Sequence, residues 1–233
     1  MPVRADTSAG TGWKGTIIAV QLPNGITWAL AAAYTAALVV SAASNASECV
    51  LTTASASSYV AGDLVEYTSG WSRANNRIFR VKAAATTSVT LEGFDTTSTT
   101  LFPAGAGVGS VRKISSRTPI AQVVSAASSG GDTQYATFQF MDQDNETQIP
   151  SGTSAQSLAF EIGDDPSLPH HNALKNASAT RAMTAVIGVL PSGSVLLYNG
   201  IFSFDETPTM SKGQIMTVKA GFALQGKPTR YAS

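Results

Sequence analysis

Apolar and polar positions alternate along much of this chain with a period of two, the signature of half-buried β-strands. In Gln214–Leu224 the residues Met216, Val218, Ala220, Phe222 and Leu224 fall on one face, while Ile215, Thr217, Lys219, Gly221 and Ala223 fall on the other. Two β-rich runs, Arg181–Leu190 and Ser194–Phe204, flank Pro191-Ser192-Gly193, whose residues have turn chemistry. A polar linker, Asp205–Gly213, separates that hairpin from the third run. Upstream, Gln134–Met141 places Ala136, Phe138 and Phe140 on one side, and Ser154–Ile162 alternates Leu158, Phe160 and Ile162 against Ser157, Ala159 and Glu161. Ile120–Val124 predicts another strand, Ser128–Gly131 a loop, and Asp142–Ile149 a charged, flexible connection.

From Val39 to Pro119 the rhythm shortens. Cys49–Thr52, Leu64–Tyr67, Ile78–Lys82, Ser88–Leu91 and Ser110–Ile114 are candidate strands, and turn signals lie between them at Ala61-Gly62-Asp63, Ser69-Gly70-Trp71 and Asn75-Asn76. Short strands at such spacing predict a small barrel of the SH3-like kind. The expected organisation is a main β domain, residues 1–38 and 120–233, with a barrel at residues 39–119 inserted into one of its loops. Ile26–Val40 stays open: its alanines favour a helix, the strand-like runs after it favour extended chain. One helix is predicted over Ser167–Asn176, with Asp164 or Asp165 as N-cap and Pro166 inside the first turn. Residues 1–12 are polar and aperiodic, and Trp13–Gln21 predicts a strand.

Composition narrows the function. Only 13% of the residues are charged, against about a quarter in an ordinary soluble domain, so part of the surface is expected to be covered by neighbours. The formal net charge is zero, which argues against binding nucleic acid by phosphate neutralisation. The barrel region holds seven basic and five acidic residues, a net of +2, leaving −2 for the rest. Cys49 is the single cysteine, expected as a small buried apolar residue. The opening MPVRADTSAGTG has no apolar core for a secretory signal, and the most apolar stretch, Ile26–Val40, is too short for a transmembrane helix. Cytoplasmic synthesis is expected.

Candidate chemistry is thin. Asp142-x-Asp144-x-Glu146 begins like a calcium loop, but Thr147 stands where the turn needs Gly and Thr153 where a closing Glu belongs. Gly105-x-Gly107-x-Gly109 lacks the strand, helix and Lys of a phosphate loop. His170 and His171 diverge by about 100° on a helix, a poor chelating pair. With no other His in the chain, the usual general base for a Ser or Cys nucleophile is missing. Of Trp13, Trp28 and Trp71, only Trp71 falls in an expected exposed turn, thin support for a carbohydrate-binding sandwich. No enzyme activity, cofactor or metal is expected.

The C-terminal half carries a resemblance. The helix ahead of Ala177, the hairpin at Leu190-Pro191-Ser192-Gly193-Ser194, the linker Thr207-Pro208-Thr209 and the closing Lys227-Pro228-Thr229-Arg230-Tyr231 together resemble the major tail tube proteins of long, non-contractile-tailed bacteriophages. The resemblance covers roughly Tyr135 to the end, and Trp13–Gln21 more loosely. It implies a tail-tube β-sandwich or rolled barrel with one flanking α-helix, beside the inserted barrel. It implies hexameric rings, whose inner strands join into one barrel, stacked into a tube in the virion tail that conducts double-stranded DNA. It also implies assembly in the host bacterial cytoplasm, with a tape-measure protein, tail terminator and tail tip proteins as further partners. It favours extended chain in Ile26–Val40 and reads residues 1–12 as an arm ordered by a neighbouring subunit. Expected inter-subunit contacts are Arg4, Asp6 and Trp13, the acidic Asp142, Asp144 and Glu146, and Pro191 and Gly193 in the hairpin. Thr217, Lys219 and Gly221 are expected to face the lumen or a neighbour. A tube protein of a contractile or secretion-type system shares the implied fold and stands as the alternative.

Overall fold

Strand β7 (Gly109–Ile120) holds the molecule together, because its first half closes a barrel and its second half opens a different sheet. The structure, a computed structural model, describes residues 24–232. The arm at 1–12, the strand expected at Trp13–Gln21, and Arg4, Asp6 and Trp13 lie outside the described residues.

Ile26–Val40 is extended. It forms β1 (Thr27–Tyr34) and the start of β2 (Leu38–Ala43). Two packing surfaces override the helix propensity of its alanines, since propensity yields to tertiary context: Trp28 and Leu30 enter one core while Ala31 enters another. With β3 (Val50–Thr53), β4 (Leu64–Ser69), β5 (Arg77–Ala85) and β6 (Ser88–Leu91), strands β2 and β7 form a closed antiparallel ring of six strands. Closure removes the exposed edges that strands this short would otherwise present. Its core is aromatic: Phe79 and Phe94 lie 4.6 Å apart and Trp71 and Phe102 5.3 Å apart. Cys49 is fully buried there, and burial pushes its thiol up to about 11.

Trp71 differs from the exposed platform expected of it. It is 2% exposed, and its Nε1 donates to Pro103 O at 2.8 Å. The glycine-rich loop folds over it, and a Cβ at Gly107 would sit 2.8 Å from the Trp71 ring. Gly107, lacking a side chain, allows this close approach to an indole.

The second half of β7 pairs with β1, and the sheet continues through β12 (Met183–Val189), β13 (Val195–Thr209), β14 (Thr217–Leu224), β11 (Ser157–Gly163) and β8 (Val123–Ser129). Strands β7 and β8 are its two ends, yet only Ala121-Gln122 separates them in the chain, with Gln122 at φ 58. The sheet is therefore rolled on itself around one core containing Leu30, Phe160, Ile162, Phe202, Val218 and Phe222. The expected sandwich or rolled barrel is present. The expected domain boundaries, Val39 and Pro119, fall inside β2 and β7. A short strand, β15 (Thr229–Tyr231), pairs with the start of β13. Strands β9 (Thr133–Phe138) and β10 (Thr147–Thr153) pair only with each other, as a separate two-stranded arm. Asp142–Ile149 was expected as a connection, but its last residues belong to β10.

Helix α1 (Pro169–Thr180) begins later than predicted, with Leu168 as N-cap and without a side-chain cap. The residue before a proline is pushed out of the helical region, and Leu168 is extended at φ −80, ψ 140. Asp165 instead accepts from Ser167 N at 3.1 Å and Ser167 Oγ at 2.6 Å, closing a local turn. His170, Leu174 and Ala177 form the buried stripe, and the helix packs on β13, β7 and β1. His170 points inward while the His171 ring meets the Phe204 ring edge-on at 5.1 Å, so the two imidazoles part.

Candidate assembly surfaces

The rolled body has two outward faces, and among the described residues only one is covered. On β1, β12 and the start of β13 the outward residues Ala31, Ala185, Ile187 and Leu197 pack against Leu64, Ile78 and Ile114 from the barrel's outer wall. Tyr231 enters the same cluster; its hydroxyl accepts from Arg80 N at 2.9 Å and donates to Glu92 O at 3.2 Å. Arg112 bonds the buried Glu66 carboxylate at 2.9 and 3.0 Å and lies 4.0 Å over the Tyr34 ring. The barrel is thus seated on the body by apolar packing and paired polar groups.

No described residue covers the second outward face, across β8, β11, β14 and the far half of β13. Register aligns Ala127, Ala159, Gly221 and Ser203 in one row and Ser125, Glu161, Lys219 and Asp205 in the next. A row of Ser and Ala residues, Ser129, Ser157 and Ala223, flanks them. Side chains this small leave a smooth surface, broken by one line of charges. Lys219 makes no ion pair among the described residues. The Asp205 carboxyl is held below the usual range by the Thr207 N–H, 2.9 Å away, with Lys219 adding to the effect.

Alternation in β14 follows the sequence pattern with two departures. Val218, Ala220 and Phe222 are buried and Lys219 is exposed. Thr217, expected beside Lys219 and Gly221 on a wetted face, is 5% exposed and donates to Glu161 Oε1 at 2.9 Å. Met216, expected inside, is 48% exposed because the strand starts one residue later and Met216 O accepts from Asp164 N instead.

Both margins of this four-strand region are unpaired among the described residues. Strand β8 pairs only with β11, and β13 loses β12 after Ile201 while keeping β14 on its other side. The remaining expected contacts sit apart from it. Pro191 and Gly193 occupy the β12–β13 turn, where Gly193 at φ 84 donates to Leu190 O at 2.9 Å. Asp142, Asp144 and Glu146 lie at the tip of the β9–β10 arm, exposed and without an ion-pair partner among the described residues. Tyr135, Phe140, Met141 and Ile149 of the arm are exposed as well.

A family model described as phage tail tube protein, TTP, matches residues 69–233. The chain belongs to the phage tail tube protein family. It is a structural component of a virion tail, and such proteins assemble with their own kind into a tube. No curated protein matches it in sequence. The matched range opens at Ser69, the last residue of β4, so it takes in the second half of the barrel as well as the body. Exposed apolar residues and unpaired strand margins are therefore surfaces of a tube subunit. Among the described residues, no helix is long and apolar enough to cross a membrane.

Proposed function

We propose that this tail tube protein forms hexameric rings that stack into the tube of a long, non-contractile phage tail, through which double-stranded DNA passes. The observation that carries this reading is the four-strand region left bare, with two unpaired margins, among the described residues. If β8 of one subunit pairs with the far half of β13 of the next, a ring of subunits closes into one barrel and leaves no edge. The row of Ala127, Ala159, Gly221 and Ser203 would then pave the lumen, with Lys219 between Glu161 and Asp205. Small side chains and mixed charge suit passage of a polyanion, which a strongly basic wall would retain.

The barrel packs on the opposite outward face, so it would stand on the outside of the tube. A contractile sheath would need that space, which favours the non-contractile reading. The Pro191–Gly193 turn and the acidic arm tip would contact neighbouring rings, as would Arg4, Asp6 and Trp13. Tape-measure, terminator and tail tip proteins would be met within the lumen and at the tube's ends. Electron microscopy of the purified full chain tests this: hollow rings or tubes with sixfold symmetry are expected. A protein that stays monomeric at high concentration, or forms solid fibres, would sink the reading.

A further inference from the structure

Positive charge gathers at one place where barrel and body meet. A cleft of about 540 Å³ lies between the barrel turn holding Arg73 and Asn75, the root of the β9–β10 arm at Gly131 and Thr153, and the C-terminal segment at Gly226 and Lys227. Among the described residues no carboxylate lines it; Asp132, next to Gly131, is the nearest acid in sequence. Arg73 and Lys227 are exposed and make no ion pair among the described residues. Beside them Arg77 donates to Arg73 O at 3.4 Å and to Thr229 Oγ1 at 3.2 Å. Its Nε is buried with no hydrogen-bond partner, and it too has no carboxylate partner among the described residues. Cations collected without anions fit a carboxylate-bearing segment.

This chain carries such a segment. Between Arg117 and Lys175 there is no Lys or Arg, and the arm tip in that stretch presents Asp142, Asp144 and Glu146 without partners. The arm cannot satisfy its own cleft. Its root lines the cleft, and β9, six residues long, holds the tip about 20 Å away at roughly 3.3 Å per residue. The arm-tip carboxylates can therefore reach such a cleft only in another copy.

We infer that the acidic arm tip of one subunit docks in the Arg73–Lys227 cleft of a second copy, which offers its own arm from the edge of the same cleft. Each contact then presents the next. A head-to-tail interface that advances along the tube axis leaves one contact open at each end and so extends a stack. The apolar Phe140 and Met141, exposed beside the acids, would be covered on docking. This inference rests on the tube reading, and it supplies the contact between rings.

Charge reversal and its rescue test it. In the full chain, Arg73→Glu with Lys227→Glu, and separately Asp142→Lys with Asp144→Lys and Glu146→Lys, should each lower the sedimentable tube fraction by about an order of magnitude. Rings should persist, and mixing the two variants should restore tubes, since acid and base are exchanged across the same contact. Full-length tubes from either variant alone would overturn the inference, and so would defective variants that the mixture does not rescue. A second measurement avoids reversed charges: Asp144→Cys with Arg73→Cys should yield a ladder of disulfide-linked multimers on oxidation, and monomer alone would count against docking. Absence of rings from the unmodified protein would instead remove the hexamer reading.

Discussion

Val218→Asp is the sharpest probe of the register on which the bare face depends. Val218 is 1% exposed, faces Ile162 across the β11–β14 pair, and sits in the core with Phe160 and Phe222. Removing its buried apolar surface costs about 1.5–3 kcal/mol. A carboxylate with no partner in that core costs several kcal/mol more, or is forced to stay protonated. The sum is comparable with the whole stability of an ordinary domain, about 5–15 kcal/mol. The sign with pH follows. Burial raises the folded-state pKa of the new Asp above its unfolded value, so the folded state binds the extra proton between the two. The deficit should then be largest at neutral pH and smallest below about pH 4. Ala223→Asp is the control, because Ala223 is exposed on the same strand, and it should cost no more than about 0.5 kcal/mol. Urea titrations at pH 7 and pH 4, followed by tryptophan fluorescence, read both variants. Equal stability of Val218→Asp and the parent at pH 7, or equal damage from Ala223→Asp, would reverse the two faces and remove the lumen assignment with them.

Tyr231→Phe leaves the Arg80 N–H without the acceptor it has at 2.9 Å, so a loss of about 1–3 kcal/mol is expected; hydrogen exchange should quicken in β5 before it does in β14. The Glu92 carboxyl is held below its usual range, first by the hydrogen bond from Arg80. Its stabilisation is thus present above the unfolded pKa and is lost as pH falls through the folded one, and Glu92→Gln should flatten that acid limb of the melting curve. Burial lowers the pKa of His170, so the folded state takes up its proton later than the unfolded chain, and stability should fall as pH drops below about 6.5; His170→Asn should blunt that fall. Replacing Val39–Pro119 by a short linker would strip β1 of its β7 partner and uncover Ile187 and Leu197. The product is expected to aggregate, and soluble tubes from it would show that the body needs no cover there.

Much of the architecture was legible because strand alternation is a local property. Val218, Ala220 and Phe222 against Lys219, or Leu158, Phe160 and Ile162 against their neighbours, announce an inner and an outer face before any partner is known. Leu168-Pro169 likewise fixes the true start of α1, although the nearer Asp165 drew the prediction. The barrel's short strands and turns were legible for the same reason.

Tertiary structure decided everything that depends on what lies opposite. Ile26–Val40 reads as helix or strand until β7 and β12 flank β1 and occupy both of its edges. Trp71 looks exposed in its turn until Gly107, far along the chain, folds over it. Thr217 belongs by period to the outer face, yet it is buried, and its hydroxyl donates to Glu161 on another strand in a half-buried bond. The cleft is the extreme case. Arg73 and Lys227 stand 154 positions apart, and no spacing rule joins them. They share a surface only because β15 returns along β13 and brings the chain's end against the barrel. Sequence period fixes which way a side chain points, whereas the long-range pairing of strands fixes what it meets.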